Sequence, residues 1–301
     1  MLSLARDLPT ESAFRTMYTR NYRGYAGRRQ PRPASFTGTL DKPATDPKLR
    51  NVPARAHAQL RLAAIRARKL GRIAAQPAYW PALRQGVAAS VEHSRIPFGK
   101  GFATVLDVGA SRGQFALFAA RRFPGAKIHC FEPLPEPAAD LRRVMGDRVE
   151  LHRTAVGSST GAAAINISAR DDSSSLLPIG SRQEREFPGT GTESTIEVPL
   201  TTLDQAIAGS PERPCLLKID VQGLELEVLK GAERTLGSVD VALVECSFVE
   251  LYEGQALADE VVAFLLERGL RLTGVHEVVH SAGGSAIQAD FLFEREQAPA
   301  P

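Results

Sequence analysis

Short apolar runs alternate with longer amphipathic stretches from about residue 102 to the end of the chain. Five of these runs are apolar almost throughout and predict buried strands: Thr104–Val108, Lys127–Glu132, Val149–Ala155, Cys215–Asp220 and Val239–Glu245. Spacing by three and four residues predicts helices between them: Gly113–Phe123, Glu136–Met145, Thr202–Ala208, Gly223–Leu236 and Gln255–Arg268. Such alternation is typical of right-handed crossovers, so we expect an α/β fold with a doubly wound, mostly parallel sheet.

Two segments depart from this alternation. Two short strand-like runs, Ala164–Ile167 and Thr195–Leu200, flank a polar middle rich in Ser and Gly, which predicts an inserted β-hairpin. Near the end of the chain, Leu270–Val275 and Asp290–Phe293 flank a turn with two glycines. This second pair predicts an antiparallel pair of strands that closes the sheet.

The first hundred residues differ in charge from the rest. They carry 19 Lys and Arg against 5 Asp and Glu, whereas the remaining residues carry 18 against 29. We expect a disordered, Pro- and Arg-rich leader over residues 1–55, a helical segment that packs on the core over 56–100, and the main domain over 101–296. The excess of positive charge is consistent with a leader that packs on, or extends from, an acidic domain. The alternative is an arm that binds nucleic acid or a membrane surface.

The composition argues against a membrane-spanning protein and against a secreted one. No stretch approaches about 18 consecutive apolar residues, and the N-terminus lacks the pattern of a secretory signal. Of the three cysteines, Cys130 and Cys215 fall in predicted strands and Cys246 directly follows one, which favours reduced core residues in a cytoplasmic protein. The sequence carries no signal for the number of subunits.

The first predicted strand runs into a glycine turn. Asp107 precedes Gly109, and Gly113 follows four residues later, immediately before a helix. This spacing is neither the GxGxxG of dinucleotide sites nor a phosphate-binding loop, so nicotinamide cofactors and nucleoside triphosphates are disfavoured. Glu132 ends the next strand, where a carboxylate can accept hydrogen bonds from a ribose. Together these residues favour a binding site for an adenosine ligand over strand ends with a purely structural role. S-adenosylmethionine is the best candidate.

Several motifs resemble those of the FkbM family of S-adenosylmethionine-dependent O-methyltransferases. They are DVGASRGQF at 107–115, FEP at 131–133, DSSSL at 172–176, VPLTTLD at 198–204, LKIDVQGLELEVLKGA at 217–232, ECSFVELYEG at 245–254 and ADFLF at 289–293. The resemblance covers about Lys69 to Phe293 and leaves the leader outside it. Where this chain has Ser111, the family usually has Asn.

The resemblance implies a Rossmann-like class I methyltransferase fold with seven strands. It also implies that Asp107, Gly109 and Gly113 line the methionine end of the cofactor, that Glu132 holds the ribose, and that Ala155 flanks the adenine. The neighbouring Ala110, Ser111, Phe115 and Pro133 are assigned to the same binding site.

Two carboxylates are candidates for the chemistry. Asp220 ends the fourth predicted strand, where it could contact cofactor or substrate, assist deprotonation of an acceptor, or cap the helix that follows. Glu245 ends the fifth strand and could bind Mg²⁺ together with Asp220, although no dense cluster of ligands supports a metal. The alternative for Glu245 is a structural hydrogen bond to the Ser173–Ser175 loop or to Tyr252.

The resulting hypothesis is an O-methyltransferase that acts on a hydroxyl of a sugar, a glycolipid or a secondary metabolite. The alternative is a nucleic-acid methyltransferase that uses the basic leader as an arm. The leader lacks regular aromatic residues, and the chain lacks the motif of enzymes that methylate base amines. A binding module without activity ranks last, because every cofactor position holds a workable residue.

Overall fold

A seven-stranded sheet forms the centre of the computed structural model, which describes residues 71–73, 75–99 and 101–296. In spatial order the strands are β3 (Glu150–His152), β2 (Lys127–Phe131), β1 (Thr104–Val108), β7 (Cys215–Ile219), β8 (Val239–Ser247), β10 (Ala286–Arg295) and β9 (Leu270–His280). The first five run parallel, whereas β10 is antiparallel to both of its neighbours. The predicted fold class is therefore confirmed.

Both faces of the sheet are covered, which explains the nearly continuous apolar runs. All five residues of β1 and all five of β7 are buried. On one face pack residues 71–73 and 75–99, which include α1 (Trp80–Arg84), together with α2 (Gln114–Arg122) and α3 (Pro135–Met145). On the other face pack α5 (Leu203–Ala206), α6 (Glu225–Lys230), α7 (Glu233–Leu236) and α8 (Ala258–Glu267). The face that a side chain occupies thus decides which of these two layers it meets.

The insertion is larger than the predicted hairpin. β5 (Gly161–Ser168) and β6 (Thr192–Thr201) pair antiparallel as expected, and α4 (Ser181–Glu186) lies in the polar segment between them. The short β4 (Ala155–Val156) pairs parallel with β6 and completes a separate three-stranded sheet. The single strand expected over Val149–Ala155 is therefore divided, and its last residue belongs to the second sheet.

The helix expected over Gly223–Leu236 is also divided, at Gly231. A Cβ atom at this position would lie 2.0 Å from the carbonyl oxygen of Gly157. The backbone nitrogen of Asp204 donates to the Gly231 carbonyl oxygen at 3.1 Å. This close approach holds the backbone of Gly157 and the start of α5 against the segment between α6 and α7. Only glycine is small enough for this position.

Two expectations fall mainly outside the described residues. These are the disordered leader over 1–55 and the first part, residues 56–70, of the helical segment expected over 56–100. The domain boundaries remain a prediction. Among the described residues, no helix is long and apolar enough to cross a membrane.

We predict that Gly231→Ala lowers the free energy of unfolding by about 1–3 kcal/mol, because the new methyl group collides with backbone that cannot easily move. Gly101→Ala is the matched control, since a Cβ there meets no atom within 4 Å. Chemical denaturation of both variants measures the difference. Equal stability of the two variants would contradict the role given to Gly231.

Candidate active site

A cavity of about 270 Å³ lies at the carboxyl ends of β1, β2 and β7. It takes in Asp220 and all of the predicted cofactor residues except Asp107 and Gly113. Residues before β1 and the loop that follows β5 complete its walls, among them His93 and Ser174. The doubly wound sheet thus places the site where such folds bind ligands, outside the carboxyl ends of the strands.

The two glycines of the turn have different tasks. Gly109 has a φ of +78°, and a Cβ atom there would lie 1.8 Å from the carbonyl oxygen of Asp220. Gly113 has a φ of +91° and faces α3, where a Cβ atom would lie 3.1 Å from Cγ of Leu141. Gly113 therefore supports helix packing and is not among the residues that line the cavity, so its contact with the cofactor stays a prediction.

Glu132 is held in place by backbone donors. Its Oε2 accepts from the nitrogen of Ser111 at 2.8 Å, and its Oε1 accepts from the nitrogen of Leu134 at 2.8 Å. Burial raises the pKa of Glu132 to about 7, and the two backbone hydrogen bonds oppose that rise. Each carboxylate oxygen keeps a lone pair, so Glu132 can still accept from two ligand hydroxyls.

Ser111 adopts a left-handed conformation, with a φ of +47°. Asparagine populates this region more readily than serine does. The conformation gives a physical reason for the asparagine that is usual at this position in the family that the sequence resembles.

A buried lysine joins the ends of β1 and β7. Lys218 Nζ lies 3.2 Å from Oδ1 of Asp107, 2.9 Å from the carbonyl oxygen of Gly109 and 3.6 Å from Oδ2 of Asp220. Burial alone would lower the pKa of Lys218, but the carboxylates of Asp107 and Asp220 raise it above its usual range. Asp107 is fully buried beside this cation and is not among the residues that line the cavity, so its contact with the cofactor stays a prediction.

Lys218 is not among the residues predicted for the site, although the sequence carries a signal for it. It is the one charged residue in an otherwise apolar strand, Cys215–Ile219. Lysine is almost never fully buried unless it is paired with an acid. The neighbouring strand holds Asp107 in register with Lys218, which supplies that acid.

Asp220 and Glu245 meet through one side-chain amide. Gln222 Nε2 donates to Oδ1 of Asp220 at 2.7 Å and to Oε2 of Glu245 at 3.1 Å. Gln288 Nε2 donates to the other oxygen of Glu245 at 2.7 Å. Burial, followed by the charge of Asp220, raises the pKa of Glu245 well above its usual range. Because an amide donor occupies the space between the carboxylates, this geometry does not favour the magnesium alternative.

Gln222 also connects the site to the insertion. Tyr252 Oη donates to Oε1 of Gln222 at 2.7 Å, and Ser175 Oγ donates to its carbonyl oxygen at 2.6 Å. The structural alternative for Glu245 required a direct hydrogen bond to Tyr252 or to the serine loop. Glu245 makes neither, because Gln222 lies between them. Asp172 and Ser174 of the same loop line the cavity, so this polar loop forms one of its walls.

Three of the described histidines differ in their relation to the cavity. His129 and His152 lie on neighbouring strands with 3.2 Å between Nδ1 and Nε2, and His152 stacks on Phe131 with 4.5 Å between ring centroids. Neither lines the cavity. His93, which the sequence left without a role, does line it, and its Nε2 lies 3.2 Å from Oδ2 of Asp290.

The charge of the cavity wall fits a cationic ligand. Among the lining residues, four carry carboxyl groups and one carries an ammonium group: Glu92, Glu132, Asp172 and Asp220 against Lys218. An excess of carboxylates attracts a sulfonium or ammonium group and repels a polyphosphate. The glycine turn, the ribose acceptor and this charge therefore suit S-adenosylmethionine.

Comparison with known proteins gives a consistent result. The family model described as the methyltransferase FkbM domain matches residues 107–272, which is more than half of the chain. The 2-O-methyltransferase NoeI of Sinorhizobium fredii is 31% identical over 160 residues, which cover 50% of this chain and 66% of that protein.

Two further relatives are similarly distant. The 31-O-demethyl-FK506 methyltransferase FkbM of Streptomyces tacrolimicus is 32% identical over 197 residues, which cover 55% of this chain and 71% of that protein. The hexuronic acid methyltransferase AglP of Haloferax volcanii is 30% identical over 144 residues, which cover 46% of this chain and 54% of that protein.

We predict that Lys218→Met lowers the free energy of unfolding by about 3–5 kcal/mol, because it leaves the Asp107 carboxylate buried without its cation. The double variant Asp107→Asn with Lys218→Met should recover part of that loss, since the uncompensated charge is then removed. Chemical denaturation measures both variants. A double variant less stable than the single one would show that Lys218 does not serve to neutralise Asp107.

Proposed function

We propose that this chain, which belongs to the FkbM methyltransferase family, moves a methyl group from S-adenosylmethionine to a hydroxyl of a sugar, a glycolipid or a secondary metabolite. The match of the family model to residues 107–272 is the observation that carries the proposal. Those residues include the glycine turn, Glu132, Lys218 and Asp220. We place the enzyme in the cytoplasm, in keeping with three free, buried cysteines.

The class of acceptor rests on the relatives. Two of them carry names that specify methylation at oxygen, and a third is named for a hexuronic acid. The matched segments span 54% to 71% of these proteins, so the acceptor class that we give to this chain is itself part of the proposal. A hydroxyl acceptor also suits the cavity, whose walls combine carboxyl groups with serine hydroxyls.

We assign the cofactor contacts from the cavity wall. Glu132 would accept from the ribose hydroxyls, and the turn from Gly109 to Ser111 would pass beside the methionine end. Ala155 and Ile165, both apolar and buried, would flank the adenine. When bound, S-adenosylmethionine supplies a methyl group activated by the adjoining sulfonium. Asp107 would act indirectly, by holding Lys218 beneath the Gly109 carbonyl.

The protein's contribution to the reaction is position and charge. Asp220 lines the cavity, where its carboxylate would attract the cationic groups of the methyl donor. Glu245 would fix the orientation of Asp220 through the shared amide of Gln222. Alignment of two reactants in a closed site can supply up to about 7–11 kcal/mol of a barrier.

No observation within the described residues favours the alternative of a nucleic-acid methyltransferase. The basic leader on which it depended lies in residues 1–55, outside those residues. The cavity wall is acidic and would repel a phosphate backbone.

An acceptor screen tests the proposal. The full chain is incubated with S-adenosylmethionine that carries a labelled methyl group, and with methyl glucuronoside, methyl rhamnoside, a macrolide with a free secondary hydroxyl, a glycolipid extract and a tRNA transcript. We expect label in at least one hydroxyl acceptor, as an O-methyl ether, and none in the RNA. Excess S-adenosylhomocysteine should suppress the transfer. Label in the tRNA alone would overturn the proposal.

We also predict that the affinity for S-adenosylhomocysteine rises with pH through the pKa of Glu132, which lies at about 7. Below that pKa the carboxyl is protonated, and above it the carboxylate accepts stronger hydrogen bonds from ribose hydroxyls. The gain should be about 1 kcal/mol, or roughly fivefold in affinity. Calorimetry at several pH values measures it, with Glu132→Gln as control. A Glu132→Gln variant that keeps the same pH dependence would remove Glu132 from the ribose site.

A further inference from the structure

Two histidines and a glutamate meet on one face of the sheet, at its edge. β3 is the edge strand beside β2, and its residues Glu150 and His152 lie in register with His129 and Phe131 of β2. Because side chains alternate along a strand, His129, Glu150 and His152 project from the same face. None of the three lines the cavity, so the proposed methyl transfer gives them no task.

The distances within this group match those of a metal site. His129 Nδ1 lies 3.2 Å from Nε2 of His152 and 3.6 Å from Oε2 of Glu150, and His152 Nε2 lies 3.5 Å from Oε1 of Glu150. Zinc binds such atoms at about 2.0–2.2 Å, so a tetrahedral site holds neighbouring ligand atoms about 3.3–3.6 Å apart. Among the described residues, no other three His, Cys, Asp or Glu side chains bring their ligand atoms within 4.8 Å of one another.

The two imidazole rings are held in place and are neutral. His152 stacks on Phe131 with 4.5 Å between ring centroids and on His129 with 5.5 Å. Two nitrogens that face each other at 3.2 Å cannot both carry a proton, so at least one of them offers a lone pair. Burial lowers the pKa of His129 to about 4 and also lowers that of His152, which keeps both rings neutral near pH 7.

The group is open to solvent at the edge of the sheet. The side chain of Glu150 is 48% exposed and that of His152 is 19% exposed, whereas His129 lies behind them at 9%. Lys127 Nζ lies 3.1 Å from Oε2 of Glu150 and is the cation that now pairs with this carboxylate. Since the lysine side chain is 67% exposed, it can turn into water when another cation enters.

We propose that His129, Glu150 and His152 bind one divalent transition-metal ion, with Zn²⁺ the best match. Imidazole and carboxylate are ligands that zinc prefers, and water would complete the four-coordinate site. Mg²⁺ and Ca²⁺ prefer sites made of oxygen atoms, so a group with two nitrogens disfavours them.

The ion would join β2 to β3 through side chains, next to the cofactor cavity. The backbone nitrogen of Glu132 donates to the carbonyl oxygen of His152 at 3.1 Å, and Phe131, which stacks on His152, lines the cavity. We therefore expect a structural ion that stabilises the strand ends beside Glu132. Its binding does not depend on whether the chain transfers a methyl group.

The first arm of the test is a calorimetric titration of metal-free full chain, without a histidine tag, with zinc chloride. We expect one ion per chain and no binding of magnesium chloride. His129→Gln and His152→Gln should each lower the affinity for zinc at least about 100-fold, since the loss of outer partners of a metal site alone costs about 10–100-fold. His280→Gln is the matched control, because His280 is an exposed histidine at the end of β9.

Lys127→Gln makes a prediction of opposite sign. It removes the cation that competes for Glu150, so the affinity for zinc should rise about two- to fivefold. A zinc affinity that falls in this variant would overturn the proposal, because the lysine would then support the site rather than compete for it.

The second arm measures stability and coordination. Zinc at a hundred times its Kd should raise the melting temperature of the wild-type chain by about 5–10 °C and leave that of His152→Gln unchanged. Co²⁺ in place of zinc should show the visible absorption bands of a four-coordinate ion. Bands of six-coordinate Co²⁺ alone would contradict a site built from these three side chains.

His129 is buried, so circular dichroism checks that its variant is folded. Glu150→Gln gives a second measurement at a half-exposed position, where we expect the fold to persist and the zinc affinity to fall about tenfold. A wild-type chain that binds no zinc would overturn the proposal. So would zinc binding that survives in His152→Gln and Glu150→Gln, or that falls equally in His280→Gln.

Discussion

The site depends on one buried cation. Lys218 binds the carboxylate of Asp107, the carbonyl oxygen of Gly109 and the carboxylate of Asp220, and so joins the ends of two neighbouring strands. The burial of a lysine costs free energy that only nearby acceptors can offset, which makes the three contacts interdependent. The turn after β1 and the loop after β7 are consequently held at the spacing that Gly109 permits. The cavity lies directly above this junction.

The walls of the cavity come from segments far apart in the chain. The central strands supply the turn and the carboxylates, the insertion supplies a polar loop, and the covering layer supplies His93. Gln222 connects two of these parts, because its side chain meets Asp220 and Glu245 and its backbone carbonyl accepts from Ser175 of the insertion. Its own φ of +57° shows that the backbone adopts an uncommon conformation to place that side chain. The fold therefore holds a strained backbone conformation at the point where the central strands and the insertion meet.

Sequence patterns predicted the sheet and much of the cavity wall, because strand ends and glycine turns are local features. Gly109 and Glu132 lie where the order of strands places them. The tasks of Asp107 and Gly113 were not predictable in the same way, since each depends on a neighbour across the fold, Lys218 in one case and Leu141 in the other. A lone sequence does not show which acids pair with a buried base, or which helix packs on a glycine.

The pair of His93 and Asp290 is the extreme case, because 197 residues separate its members. No local pattern connects a histidine in a 3₁₀ turn to an aspartate in the antiparallel strand, and each alone resembles an ordinary core or strand residue. The sheet brings them together, since Asp290 lies in register with Glu245 and on the face that residues 71–73 and 75–99 cover.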